Sequence, residues 1–336
     1  MNKTEHFSLC NLEIVERSRQ AEVKDRSGGN MKNKVFILVT LSVILLVAGP
    51  SNAASFDDFN KYVQDRDFKK AKSVLDNWGK KKEDDPQYYI CLFNYHINKS
   101  RTDAVGMRST PPGGEKTVQL TDPKTKKVVG YLGPVVSYDR DEAQKGINHL
   151  KIGIDKFPDH YEMRFGLLYA YREMNQFDNY FIEMEKGLKY LRDKRPKKIY
   201  WNNNEVMKNP ADFLVEMSQG SFAELTADEK YQFAAKLAHH YCDLLIKYFP
   251  DHKYGYSDNG VIYYQNKDFE HALEYFLKAY NLDPKDELIT FNLGFLYKEM
   301  NDKKNARTYF KRVLEISKDE FYTDGAKEQL KILDKK

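Results

Sequence analysis

Over most of residues 54–336, apolar side chains recur at intervals of three and four. That is the period of helices that bury one face and solvate the other. The stretch Phe56 to Trp78 places Phe59, Tyr62, Phe68, Ala71, Leu75 and Trp78 on this spacing, with a helix restarting at Asp67-Phe68. Further helices are predicted over Gln87–Asn98, Arg140–Lys156 and Tyr161–Arg192, the last one broken by a turn at Asn175-Gln176-Phe177. Phe157-Pro158-Asp159-His160 and Phe249-Pro250-Asp251-His252 each close a helix, because proline and the residue before it leave helical geometry. Two copies of one terminator suggest one structural boundary used twice. The final segment, Tyr322–Leu333, sets Ala326, Leu330 and Leu333 on one side and reads as a closing helix.

Two stretches do not fit this period. Arg101–Asp139 contains Pro111-Pro112-Gly113-Gly114, then β-rich runs at Lys116–Leu120 and Val128–Leu132 around an Asp122-Pro123 turn, which predicts a β-hairpin. It falls between two predicted helices, as an insertion within a helical pair. The second stretch, Arg195–Leu225, carries Pro196, Tyr200-Trp201 and Asn202-Asn203-Asn204, with a short helix expected at Pro210–Met217. It reads as a packed linker between an N-terminal block (54–194) and a C-terminal block (226–336).

The C-terminal block repeats itself. Laying Lys253–Asp286 over Glu287–Glu320 aligns Gly260 with Gly294, Tyr263 with Tyr297, Ala272 with Ala306 and Phe276 with Phe310, all 34 residues apart. Ala279 meets Val313, and Pro284 ends the first copy. Small residues at these places let two helices approach closely, rings fill the gap to the next pair, and proline starts the turn. In these residues the chain resembles the tetratricopeptide repeat (TPR) family, a solenoid of two-helix hairpins. The resemblance is full over 253–286 and 287–320, and looser over Tyr161–Arg192 and the mature N-terminus. The expected fold class is therefore all-α: a TPR-like helical-hairpin solenoid with an inserted β-hairpin.

The resemblance implies a function, protein binding, and a place for it. In TPR arrays the first helix of each pair lines a concave groove. The matching positions here are Glu162, Phe165, Tyr169 and Arg172 in the looser copy. In the next copy they are Tyr254, Ser257, Val261 and Tyr264, and in the last Leu288, Phe291, Phe295 and Lys298. The set is aromatic with a few charges, the composition of interface hot spots; the bland reading is that some of these rings are simply core. The family's carboxylate-gripping version is not expected, because Asn292 fills one of its slots but Asp258 would repel a carboxylate in the other.

Ahead of the mature chain, Val35–Val47 is a short apolar run preceded by Lys32 and Lys34 and followed by Ser51-Asn52-Ala53-Ala54. These are the three parts of a secretory signal over 31–53, cleaved after Ala53. The run is short for a membrane span, and retention as an uncleaved anchor is the alternative. Met31 opens the natural signal start, so residues 1–30 read as disordered or as an over-extended beginning, with Met1 the alternative start.

Composition adds exclusions. Seven of the 54 Lys/Arg and five of the 50 Asp/Glu lie in the first 53 residues, leaving a nearly neutral body. Nucleic acid is not an expected partner. No phosphate loop, nucleophile elbow or metalloprotease motif is present, so no enzyme and no cofactor is expected. His239, His240 and Cys242 offer too few ligands for zinc. Cys91 and Cys242 read as buried free thiols, with a single bridge as the alternative. The expectation is an exported scaffold, periplasmic in a Gram-negative bacterium, with a protein or peptide partner and no membrane contact beyond the signal segment. The competing readings are an envelope enzyme or ligand-binding protein with its site under the 101–139 hairpin, and a structural homo-oligomer.

Overall fold

The computed structural model describes residues 53–79, 84–108, 118–201, 204–206, 209–213 and 234–334. The expected signal segment therefore lies outside the described residues apart from Ala53, as does most of the helix expected at Pro210–Met217. The chain divides into two compact units. One runs through residue 187 and takes in 194–210; the other comprises 188–193 and the residues from 211 onward.

In the first unit, α1 (Ala53–Gln64) and α2 (Phe68–Gly79) form an antiparallel pair. Phe56, Phe59, Val63, Ala71, Leu75 and Trp78 bury themselves between the two helices, and Cys91 and Tyr95 of α3 (Pro86–Ser100) join that cluster. Asp85 caps α3 by accepting from the Gln87 amide at 3.0 Å, and Pro86 sits at the first helical position, where no amide proton is needed. Helix α3 runs directly into β1 (Arg101–Arg108), followed by β2 (Val118–Thr121) and β3 (Val128–Tyr138).

The sheet order is β1-β3-β2, antiparallel throughout. The expected hairpin is β2–β3, and its turn is built by Asp122, whose carboxylate accepts from the Lys124 and Thr125 amides at 2.9 and 2.6 Å. Strand β1 adds a third strand and a second ladder that the sequence pattern did not predict, pairing from Arg101↔Tyr138 to Arg108↔Tyr131. The run Arg-Thr-Asp-Ala-Val-Gly-Met-Arg has little β propensity; β3 supplies the partner that makes it a strand. At the base of the sheet the Asp139 amide donates to the Ser100 carbonyl (2.8 Å), and Asp139 caps α4 (Arg140–Lys156). Helices α3 and α4 are thus a helical pair whose turn has been replaced by a sheet. They pack closely because α4 presents glycines: a Cβ on Gly153 would lie 2.7 Å from Cβ of Tyr89, and one on Gly146 3.1 Å from the Phe93 carbonyl. Helices α5 (Glu162–Glu173) and α6 (Phe177–Lys194) follow, then the two-residue strands β4 (Tyr200–Trp201) and β5 (Asn204–Glu205).

The second unit holds α7 (Ala234–Tyr248), the pair α8 (Lys253–Gln265) and α9 (Phe269–Leu282), the pair α10 (Glu287–Glu299) and α11 (Lys303–Ile316), and the closing α12 (Glu320–Asp334). The 34-residue repeat is visible atom by atom. A Cβ on Gly260 would approach the Phe276 ring to 2.7 Å, and a Cβ on Gly294 the Phe310 ring to 2.7 Å. Ala272, Ala279, Ala306 and Val313 are fully buried beside those rings.

One turn design recurs across the chain. Arg66, Asn175, Lys267 and Asn301 all adopt a left-handed φ between 56° and 60°. In each case the next amide reaches back to a tyrosine carbonyl: Asp67 to Tyr62, Gln176 to Tyr171, Asp268 to Tyr263 and Asp302 to Tyr297, at 2.8 to 2.9 Å. This closure satisfies carbonyls at the end of the first helix and makes α1/α2, α5/α6, α8/α9 and α10/α11 copies of one hairpin. The two Phe-Pro-Asp-His strings also fold alike. The Phe157 and Phe249 amides donate to Gly153 and Leu245, and the His160 and His252 amides donate to the phenylalanine carbonyls.

Candidate partner-binding face

The predicted groove residues lie on α5, α8 and α10, and the structure treats the three helices differently. On α5 the face is occupied from within its own unit. Glu162 is fully buried, and one carboxylate oxygen lies 3.0 Å from His160 Nδ1. Phe165 packs edge-on to Trp201, with ring centroids 5.1 Å apart. Tyr169 places its hydroxyl beside that of Tyr138 of β3, and Arg172 is buried with its guanidinium 5.4 Å from the Tyr169 ring. Burial is the main reason the Tyr138 and Tyr169 hydroxyls are both pushed above the ordinary phenol range. The strand β4 is held there by backbone bonds, Tyr200 N to Asp159 O at 2.8 Å and Tyr161 N to Tyr200 O at 3.2 Å. The sequence showed Tyr200-Trp201 only as part of a linker. Two adjacent aromatics in a polar stretch were the one signal that this segment packs on a helix.

On α8 and α10 the positions split into two classes. Ser257, Tyr264 and Phe291 are buried. Phe291 lies within a cluster of rings formed with Phe295, Phe310, Phe321 and Tyr322, at centroid distances of 4.9 to 6.3 Å. Gly325 of α12 sits directly on it: a Cβ there would come within 2.7 Å of the Phe291 ring. The closing helix thus covers the middle of α10. By contrast Tyr254, Val261, Leu288, Phe295 and Lys298 are half-buried. Lys298 donates to Gln329 of α12 and stands 5.6 Å from the Phe295 ring centroid.

The two repeats are tied at their edge by Lys253. Its ammonium bonds Asp283 at 2.8 Å and Asp286 at 2.6 Å. Burial opposes its charge, but the two carboxylates prevail and hold its pKa above the ordinary lysine range. Asp286 at the same time caps α10 through the Ile289 amide (2.8 Å).

Most of the polar residues singled out in the sequence are either buried or bonded to a neighbouring helix. Asp258 and Asn292 are both buried, and neither amide atom of Asn292 has a hydrogen-bond partner. His239 Nδ1 meets Asn259 Oδ1 at 2.8 Å, joining α7 to α8. Cys91 and Cys242 are buried and not disulfide-bonded, and burial raises both thiols well above their usual pKa. Among the described residues, no three His, Cys, Asp or Glu side chains converge in a way that could hold a metal.

Family models for the tetratricopeptide repeat match residues 254–286 and, through a second model, 290–320. These two segments are TPR repeats. The matched spans are the α8/α9 and α10/α11 pairs whose glycine–phenylalanine contacts are described above. Solved structures of TPR proteins resemble the chain as well. The type IV pilus biogenesis factor PilW is 12% identical over 84% of this chain and 100% of that chain, with a TM-score of 0.34. The C-terminal part of a TPR repeat-containing protein from Cytophaga hutchinsonii is 13% identical over 82% and 94%, with a TM-score of 0.38. YrrB, described as a TPR protein with an unusual peptide-binding site, is 14% identical over 56% and 84%, with a TM-score of 0.34. At these identities and scores no function is transferred from them. No curated protein matches the sequence. TPR repeats are in general modules for protein interaction rather than catalysis.

Proposed function

We propose that the protein is an exported scaffold of the cell envelope that holds a protein or peptide partner on the first-helix face of its C-terminal TPR repeats. One observation carries this reading. Tyr254 and Leu288, and likewise Val261 and Phe295, are pairs 34 residues apart whose apolar side chains stay half-buried while their neighbours Ser257 and Phe291 are sealed in the core. Two accessible rows on the first helices of consecutive repeats form a ready-made strip for apolar anchors. Lys298, at the end of the second row, adds a cation beside Phe295. The α5 copy contributes less to such a face, since Phe165 and Tyr169 already pack on Trp201 and Tyr138. Export is supported by the apolar run Val35–Val47 with Lys32 and Lys34 before it and small residues after it; the periplasm of a Gram-negative bacterium is the compartment this reading assigns.

The test places a photo-crosslinking residue at Leu288 and, separately, at exposed Ile332 as an off-face control, in cells of the source organism. A partner crosslinked from Leu288 and lost on Val261→Asp supports the reading. Crosslinks only between copies of the chain would replace it with the homo-oligomer, and equal labelling from both positions would refute the face.

A further inference from the structure

The inserted sheet has a surface that the scaffold reading does not use. Its base is clamped to the helices at Ser100 and Asp139. Strand β3 is 11 residues long, so the β2–β3 turn lies roughly 33 Å from that base at about 3.3 Å per residue. Most of the strongly exposed large apolar side chains of the described residues cluster in this small element: Val105 at 77%, Met107 at 68%, Val118 at 64%, Val129 at 61% and Val128 at 46%. Such a density of exposed apolar side chains marks a contact surface.

The faces on which they stand restrict what can cover them. Val118 and Met107 are both register partners of Leu132, so they share one face. Val128 pairs with Thr121, the neighbour of Leu120, and so stands on the other face; Val129 is the extra residue at the bulge between these pairs. A partner laid flat on one face leaves the other uncovered. A medium that surrounds the tip covers both.

The charge of the tip identifies the medium. Residues 118–138 contain three lysines, Lys124, Lys126 and Lys127, against one acid, Asp122. All three lysines are exposed in the turn. The Asp122 carboxylate is turned inward on the Lys124 and Thr125 amides. Lysines beside exposed valines are the chemistry of a segment that rests at the headgroup boundary of an anionic bilayer, with apolar side chains immersed to a depth of about 5–10 Å.

We propose that the β2–β3 tip is a peripheral membrane contact, which docks the sheet on an anionic lipid surface through Lys124, Lys126 and Lys127 and inserts Val118, Val128 and Val129. The test is hydrogen exchange of the full chain with phosphatidylcholine vesicles that either lack or contain phosphatidylglycerol. Amides between Val118 and Val129 should be protected on the anionic vesicles only, and the protection should fade as salt is added. The variant K124Q/K126Q/K127Q should need roughly a hundredfold more lipid for the same protection, each lysine near such a surface contributing about fivefold. Val128→Ser with Val129→Ser should weaken it without altering the salt dependence. The apolar run at 35–47 is common to every chain compared, so only the tip distinguishes them. Protection that is equal on both vesicles, or unchanged in the lysine variant, overturns the proposal. No protection on either overturns it too and assigns the exposed valines to a protein partner.

Discussion

Replacing Gly294 with Ala should destabilise the C-terminal unit, although in an open helix the same change stabilises by about 0.8–1.0 kcal/mol. The built Cβ lies 2.7, 2.8 and 3.0 Å from three carbons of the Phe310 ring, where carbon contacts ordinarily begin near 3.5 Å. The ring would have to retreat by roughly 0.8 Å. Phe310 is fully buried, with the Phe291 and Phe295 rings edge-on to it at centroid distances of 5.8 and 5.3 Å. Overpacking of this kind costs about 1–3 kcal/mol, so the net expectation is a loss of about 1 kcal/mol once the helix gain is subtracted. Gly260→Ala is an internal replicate, since its Cβ meets Phe276 at 2.7 Å in the preceding repeat. Adding Phe310→Leu to Gly294→Ala should recover part of the loss, because the flexible side chain gives way; a coupling of about 1 kcal/mol is expected. Urea unfolding followed by circular dichroism measures each midpoint, with the slope confirming that the transition is of the same kind. A midpoint that rises in Gly294→Ala, or a double variant that merely sums the singles, would refute the packing argument.

Other consequences follow from the electrostatics. His96 and His149 stack on each other at 5.5 Å, with His96 also 3.0 Å from Glu142; burial chiefly lowers both imidazoles below the ordinary histidine value of 6.5, and Lys99 and Lys145 push His96 the same way. The unfolded chain therefore binds protons more readily, so stability is complete above about pH 6.5 and declines as pH falls below it. Burial opposes ionisation of Glu142, yet its bonds from Lys145, Lys99 and His96 hold it at about 2 against the ordinary glutamate value of 4.5, so a second loss should appear below pH 4.5. Thermal melts across this range should show both steps, and a His96→Phe, His149→Phe chain should lack the first. Lys253→Ala removes the partner of Asp283 and Asp286 and should cost about 1–2 kcal/mol, less in high salt; an equal cost at all salt concentrations would point to lost packing instead. Cys91 and Cys242, with buried and raised thiols, should resist iodoacetamide in the native chain and react in urea, read by peptide mass spectrometry.

Much of the hairpin plan was legible in the residues. Gly260, Phe276, Gly294 and Phe310 make the contacts their spacing implies. Closing helix α12 and the pair α5/α6 fall within a few residues of their predicted places, and Asp122-Pro123 marks the turn between β2 and β3. The groove set was less legible. Position in a repeat says which way a side chain faces, but not whether another element lies on it. Phe291 and Phe295 are both aromatic and one turn apart, yet only Phe291 is sealed beneath Gly325.

The sequence by itself determined the period, because helical burial, small-residue contacts and proline turns are local rules that each repeat obeys on its own. Of the recurring inter-helix turns it marked one, at Asn175-Gln176-Phe177; the left-handed closure shared with Arg66, Lys267 and Asn301, each followed by an amide bonded to a tyrosine carbonyl, emerged only in the structure. Only the tertiary structure decided that Arg101–Arg108 is a strand, that Trp201 covers Phe165, and that valines stand exposed on a sheet far from its base. The reason is the same in each case. A strand without its own propensity, a covered ring and an uncovered valine are defined by a partner distant in the chain, and no local pattern encodes the presence or absence of that partner.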